Sequence, residues 1–383
     1  ALSTKWEMGK HYVYTLDFSN GAGQDENGNA IISGTGIKLN VTVTPWNEKG
    51  LLLPPPPTVY NANSVVVSDT EAFGLDVTRA NTFWSNPDVS FGTNIIGDNT
   101  EWTAEVVWQD IPSRAINFCD ASGKTVSGDT YNGTGKTPLC IKAATATKGN
   151  VIVGIKKKGA GKDAYIWSWH LWLTDEPKLV SGFMDRNLGA TSATPSDGRK
   201  TYGLFYQFGR KDAFVPNIDI YDINGNKLRK GATVTSGPVT FYKAVNNPGT
   251  FYTYNGDWAS PNKFTYTNWN NFTDADGKTY FDPCPEGWRL PTKSEFSNFS
   301  TTKNTWDATN KGRTYNSNWF PAAGCRDSRS DGSMDLVGIM GLYQEMSYNG
   351  VSLNYSFEFD NSFDNAIYPN LRSNGLSVRC IQE

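Results

Sequence analysis

Three features of the sequence predict a mainly β, multi-domain fold. Apolar residues alternate with period two in short runs, turn-forming Gly, Pro, Asn, Ser and Thr fill the gaps between them, and four consecutive prolines (Pro54–Pro57) interrupt the chain. A length of 383 residues suggests two or three domains rather than one core. Aromatics reach 13% while apolar residues total only 38%, a balance that favours turn-linked strands over long helices.

The first strand signal is His11–Phe18, with Tyr12, Tyr14, Leu16 and Phe18 on one face; the second is Gly36–Val43, with Ile37, Leu39, Val41 and Val43. A polar, Gly- and Asn-rich loop joins them, which predicts a half-buried antiparallel pair over residues 1–50. Two strands make no stable domain alone, so this segment is expected to be the end of a larger β domain. The proline run at 51–57 then favours polyproline II and reads as a stiff spacer.

Residues 58–176 carry strand runs at Ser64–Val67, Trp102–Trp108, Ala115–Phe118, Asn150–Ile155 and Tyr165–Leu173, as expected of a β-sandwich domain. In the last run Trp167, Trp169, Leu171 and Leu173 share one face and Ile166, Ser168, His170 and Trp172 the other. His170 therefore reads as a packed histidine, not a catalytic base. Residues 177–383 differ: strand signals shorten and loops lengthen. One helix start is well marked, with Thr292 as N-cap and Glu295 three residues on, a capping box. A second short helix is expected over Tyr202–Gly209, from the spacing of Tyr202, Phe205 and Tyr206.

Composition also excludes functions. A net charge of −3 gives no electrostatic pull toward nucleic acid or an anionic membrane, and no run approaches the roughly 20 apolar residues of a transmembrane segment. No export signal is present in the sequence, and any signal peptide is expected to have been removed. Only two histidines exist, and no cysteine pair has C-x-x-C spacing, so zinc sites and redox dithiols are not expected. Of the five cysteines, Cys119 and Cys140 flank a polar loop that a bridge could close; Cys284 and Cys380 bracket the last hundred residues, and Cys325 is left over. Two disulfides in an exported protein are expected, the other reading being five unpaired buried thiols.

Cys284-Pro-Glu-Gly-Trp-Arg-Leu-Pro-Thr-Lys-Ser-Glu-Phe296 closely resembles the Fibrobacter succinogenes major paralogous domain family. The same pattern continues at Met184–Ala190, Tyr202–Arg210, Phe320–Asp327, Gly338–Tyr343 and Gly375–Cys380, covering nearly all of 180–383 in order. That resemblance implies an α+β, C-type-lectin-like domain over 177–383, with Trp288, Arg289, Thr292, Glu295 and Arg379 as motif scaffold and Cys284 bridged to Cys380. Lys5–Leu16 and Ile37–Trp46 look like the last two strands of a fimbrillin-like domain, from pilin-related lipoproteins of Bacteroidota that assemble by strand donation. Arg-Leu-Pro-Thr-x-x-Glu also occurs in the formylglycine-generating, sulfatase-modifying family. Its activity needs a cysteine-centred site late in the domain, and neither Cys380, expected in a bridge, nor Cys325, without the family's flanking motif, supplies one.

No motif supplies a base for nucleophilic catalysis, so the chain reads as non-catalytic. Binding is the better expectation. Phe251–Trp258 and Phe264–Phe272 interleave eight aromatics with amides and hydroxyls, and rings of this kind stack on sugars or peptide side chains. Tyr254, Trp258, Tyr266, Asn268 and Trp269 are the candidate ligand contacts. No cofactor is implied. Calcium is not expected either: Trp269-Asn-Asn271 lacks the acid of a calcium lectin, and the Asp-containing loop 326–335 lacks EF-hand order. The function expected is that of an extracellular adhesin or tip-like pilus subunit on the cell surface. Its partners would be a glycan, a host or bacterial surface protein, or other pilus subunits through strand donation. The alternatives are a surface glycan-binding protein for nutrient capture and a sulfatase-modifying-like enzyme.

Overall fold

The computed structural model describes residues 57–86, 94–161, 163–260, 278–297, 304–350 and 352–383, with the backbone of 10–17 and 38–45. The chain divides into two compact units, 1–55 and 56–383, at the proline run. In the first, strands β1 (Lys10–Asp17) and β2 (Lys38–Pro45) pair antiparallel, in a register that sets Tyr12 opposite Val43, Tyr14 opposite Val41 and Leu16 opposite Leu39.

The second unit begins with two facing sheets. Its strands are β3 (Thr58–Tyr60), β4 (Ser64–Val67), β5 (Phe73–Leu75), β6 (Glu101–Gln109), β7 (Ile116–Cys119), β8 (Thr130–Thr134), β9 (Leu139–Ala143), β10 (Gly149–Lys157) and β11 (Tyr165–Leu173). One sheet has the order β3-β5-β9-β7; the other runs through β6-β10-β11-β4, with β8 on the flank of β6. The β10–β11 hairpin aligns Val151, Val153 and Ile155 with Leu171, Trp169 and Trp167. Its turn needs Gly159, whose φ of +81° would strain any residue with a Cβ.

Beyond Leu173 the elements shorten. They are β12 (Leu179–Val180), β13 (Phe183–Met184), β14 (Phe205–Gln207), β15 (Asp219–Tyr221), β16 (Lys227–Lys230), β17 (Thr233–Ser236), β18 (Thr250–Thr253) and β19 (Trp288–Arg289). They continue as β20 (Thr305–Asp307), β21 (Gly312–Tyr315), β22 (Asn318–Pro321), β23 (Cys325–Arg326), β24 (Met334–Asp335), β25 (Gly341–Asn349), β26 (Leu353–Phe359), β27 (Asp364–Leu371), β28 (Gly375–Ser377) and β29 (Ile381–Gln382). The largest sheet of this region has the order β24-β23-β28-β25-β26-β27, with β14 also on β28, and a smaller one the order β12-β13-β29-β19. The short helix Lys293–Phe296 starts at the expected capping box, where Glu295 Oε2 accepts from Thr292 N at 2.7 Å.

The helix expected over Tyr202–Gly209 does not form. Gly203 has φ +72°, and a Cβ there would lie 2.4 Å from Leu188 O, so the chain leaves helical conformation and Phe205–Gln207 joins a ladder with β28. Of the residues at helical spacing, Phe205 and Tyr206 are buried strand residues and Tyr202 is a half-buried turn residue before them.

Residues 58–176 and 177–383 share one core. Strands β15 and β16 extend the β6-β10-β11-β4 sheet, and one apolar cluster runs from Val65 to Cys380. All nine residues of β11 are buried, because the later segment covers what would otherwise be its solvent face. Polar groups fasten the junction. Asn63 Nδ2 donates to Tyr280 O and Asp282 O, both at 2.8 Å, and Ser64 Oγ donates to Pro283 O at 2.6 Å. Arg79 Nη2 donates to Tyr280 O at 3.0 Å and its guanidinium lies 4.6 Å from the Tyr280 ring centre.

Two features close the C-terminal region. Cys284 and Cys380 are bridged with their Cα atoms 6.0 Å apart, joining residues 96 apart in sequence; a closed loop of that size is worth about 4–5 kcal/mol by loop-closure entropy. Beside it, the buried Arg379 guanidinium donates to Asn187 Oδ1 (3.0 Å), Met184 O (3.1 Å), Asn318 Oδ1 (2.8 Å) and Trp319 O (2.7 Å), and lies 4.1 Å from the Phe320 ring centre. The expected second bridge is not formed: Cys119 and Cys140 are buried thiols although they are direct cross-strand partners. Ala144 N donates to Ala115 O, and the two-residue period makes Cys119–Cys140 a hydrogen-bonded pair, whose side chains stand farther apart than those of the alternate pairs.

Arg379→Lys should lower unfolding free energy by roughly 3 kcal/mol in urea titration, since one ammonium cannot satisfy four acceptors spread around a planar fork. Denatured without reductant, the chain should give three alkylated cysteines, and five after reduction. A single alkylated thiol before reduction would mean that Cys119 and Cys140 are joined.

Candidate functional site

The aromatic segment expected to contact ligand divides in the structure. Phe251 and Tyr252 of β18 turn into the core, and Tyr254, one residue past the strand end, is 42% exposed. Trp258 is 0% exposed and is a core residue, which corrects its assignment as a ligand contact. Its indole Nε1 donates to Phe208 O at 2.9 Å, its ring packs on Phe241 at 5.3 Å, and the Arg210 guanidinium lies 5.3 Å from it. Tyr266, Asn268 and Trp269 lie outside the described residues.

The motif residues hold structure together. Arg289 grips Glu295 with two bonds, of 3.0 and 2.6 Å, which fixes the carboxylate that also caps the helix at Thr292. Trp288 is half-buried on β19, paired with Gln382 of β29. In the loop 326–335, Asp327 Oδ1 accepts from Arg329 N and Asp331 Oδ1 from Ser333 N, each at 3.0 Å, so these carboxylates close local turns. Among the described residues no three His, Cys, Asp or Glu side chains converge as metal ligands would.

A chain of Ser64, His170 and Asn150 lies at the junction, with Ser64 Oγ 3.1 Å from His170 Nδ1 and His170 Nε2 2.9 Å from Asn150 Oδ1. Its hydrogen bonds assign the tautomer. Asn150 Nδ2 already donates to Asp110 Oδ2 and Gly189 O, so Asn150 Oδ1 is the acceptor and His170 carries its proton on Nε2. Nδ1 is left to accept from the Tyr206 hydroxyl at 3.4 Å, while the Ser64 proton is committed to Pro283 O. Burial pushes the imidazole pKa down to about 3, so it stays neutral. With Ser64, His170 and Asn150 all buried, this is a sealed hydrogen-bond chain that fastens the junction.

Near Tyr254 a groove of about 360 Å3 opens between the loop before β25 and strands β26 and β27. Leu336, Met340, Leu342 and Leu353 give it apolar walls, and Tyr368, 45% exposed, stands in its lining. Polar groups enter at three points, from Glu358, from Asn370 and Asn374, and from Arg329. Glu358 Oε1 accepts from Ser356 Oγ at 2.9 Å and Asn370 Nδ2 at 2.7 Å, while Oε2 takes no hydrogen bond from a described residue. Burial pushes the Glu358 pKa up to about 7, against the lowering pull of those two bonds, and burial also pushes the neighbouring Cys325 thiol up to about 12. Tyr254 is tied to this groove through its backbone: its carbonyl accepts from Ser328 Oγ at 3.0 Å and Ser373 Oγ at 2.5 Å, next in sequence to Arg329 and Asn374. Arg372, ion-paired to Asp257 at 2.9 Å and donating to Leu353 O at 3.0 Å, holds the Tyr254 segment against the β25–β26 hairpin.

The groove residues were not singled out by sequence. Asn354, Ser356 and Glu358 alternate with Tyr355, Phe357 and Phe359, which reads as the wet side of a half-buried strand, yet all three are buried. Compared with known proteins, the chain matches no family model, no curated protein and no solved structure.

Buried acids give the fold a pH signature. Burial raises Glu345 to about 8, Glu358 to about 7 and Asp110 to about 6; neither Glu345 oxygen takes a hydrogen bond from a described residue, and the Lys293 charge opposes the shift. Because the unfolded chain ionises these groups near pH 4 to 4.5, roughly, their stabilisation is complete below that and is lost as pH rises through the folded values. Urea midpoints should fall steadily from about pH 5 to pH 8.5, and Glu345→Gln should flatten the upper part of that slope.

Proposed function

We propose that this chain is a non-catalytic binding protein of the cell surface, an adhesin or tip-like pilus subunit. It engages a glycan or protein ligand through the region 177–383. The observation that carries the reading is the groove, where apolar walls meet a few polar groups, as in small-ligand sites, with exposed Tyr254 tied through its carbonyl to Ser328 and Ser373 beside it. The bridge between Cys284 and Cys380 supports an oxidising, extracytoplasmic setting. The β1–β2 ladder supports the pilus part: a two-stranded sheet is marginal by itself, and a strand donated by a neighbouring subunit would extend it. The sequence resemblances to fimbrillin-like and C-type-lectin-like domains point the same way.

The test uses the full chain on a glycan array and on immobilised extracellular-matrix proteins. Binding to one of them should weaken about tenfold in Tyr254→Ala, with thermal stability unchanged. If the chain binds neither surface, the reading is wrong.

A further inference from the structure

We infer that the groove beside Tyr368 is a subsite for a single neutral sugar ring, a pyranose with one apolar face. This inference rests on the binding function proposed above and names its ligand class. The lining calls for a compact molecule with two kinds of surface. Leu336, Met340, Leu342 and Leu353 offer no hydrogen bonds and match the C–H face of a saturated ring, with the Tyr368 ring available for stacking. Glu358 Oε2 takes no hydrogen bond from a described residue, and Asn370 and Asn374, held by bonds to Glu358, to each other and to Ser328, each keep a second amide N–H, so ring hydroxyls meet both an acceptor and donors. A wholly apolar ligand would bury the Glu358 carboxyl without compensation. An anionic sugar would meet that carboxyl where it is ionised, and the guanidinium that lines the groove, Arg329, is already paired with Asp327 at 3.2 Å.

An extended peptide is the other occupant a β surface invites, and the strand order argues against it. Strand β27 ends the order of its sheet and exposes Ile367 (52%) and Tyr368, the arrangement that strand addition exploits. Pro369 sits in the middle of that strand and has no N–H to give an incoming backbone. The edge is thereby guarded, while the concave space behind Tyr368 remains open to a small ring.

The experiment is saturation-transfer NMR and titration of the full chain with the methyl glycosides of glucose, galactose, mannose and N-acetylglucosamine, with methyl glucuronide as the anionic comparison. At least one neutral glycoside should bind, and more tightly than the glucuronide. Tyr368→Ala should weaken that binding about tenfold. The side chain is 45% exposed and lies on an edge strand, so this variant should fold. Glu358→Gln, isosteric and able to keep its contacts with Ser356 and Asn370, should weaken it as well. The inference is overturned if no neutral glycoside binds, if the glucuronide binds best, or if Tyr368→Ala binds as the parent does. Should the full chain still bind an array glycan or a matrix protein through Tyr254, the surface-binding function stands and only the groove assignment falls.

Discussion

A single buried cation organises the C-terminal half of this molecule. The Arg379 guanidinium reaches main-chain and side-chain acceptors of two separate segments, around Met184–Asn187 and Asn318–Trp319, from the link between β28 and β29 that also carries Cys380. Burial pushes its pKa down to about 10, so it keeps its charge at neutral pH although, among the described residues, its hydrogen bonds go to carbonyl and amide oxygens rather than to a carboxylate. Only a planar fork with five donors can serve acceptors so placed, which is why the position calls for arginine rather than lysine. The strands beside these acceptors are short, two residues in β13 and four in β22, so this hub and the bridge next to it add the hold that short ladders lack.

The same economy joins the two halves of the larger unit. A strand such as β11, with nine buried residues, needs cover on both sides, and its polar members need partners inside the protein. Ser168 donates to Asp212 at 2.9 Å, and Lys211 donates to Ser168 O at 2.9 Å while also pairing with Asp212 at 2.8 Å. Arg210 completes the cluster with a 3.0 Å contact to Asp212. Two cations and one anion share this dry space, and the neighbouring Trp167 and Trp258 rings, 4.4 and 5.3 Å from the cationic groups, spread the remaining charge.

Local chemistry was legible in the sequence, and tertiary cover was not. The β1–β2 pair, the β10 and β11 strands and the Thr292 capping box all follow from period-two alternation or from fixed capping spacing, which act within a few residues. The Cys284–Cys380 bridge was reached through resemblance, since pairing across that distance has no local signal. Trp258 shows the limit: aromatics among Asn and Thr look alike whether they face water or, as here, Phe208, Phe241 and Arg210. Glu358 shows it from the other side, as a charged residue on a strand reads as solvated until a second strand folds over it. The shared core of 58–176 and 177–383 was invisible for the same reason, because nothing local distinguishes a strand covered once from one covered twice.

The Cys284–Cys380 bridge also sets how the chain would carry a load. Tension applied at its two ends passes from Cys284 straight to Cys380 through the covalent bond. Residues 285–379 therefore hang outside the force path, and they include β23 to β28 and every wall of the groove. Tyr254 lies on the loaded side, so the two halves of one surface differ mechanically: one is shielded by a single covalent bond, and the other is held in place by Arg372, Ser328 and Ser373.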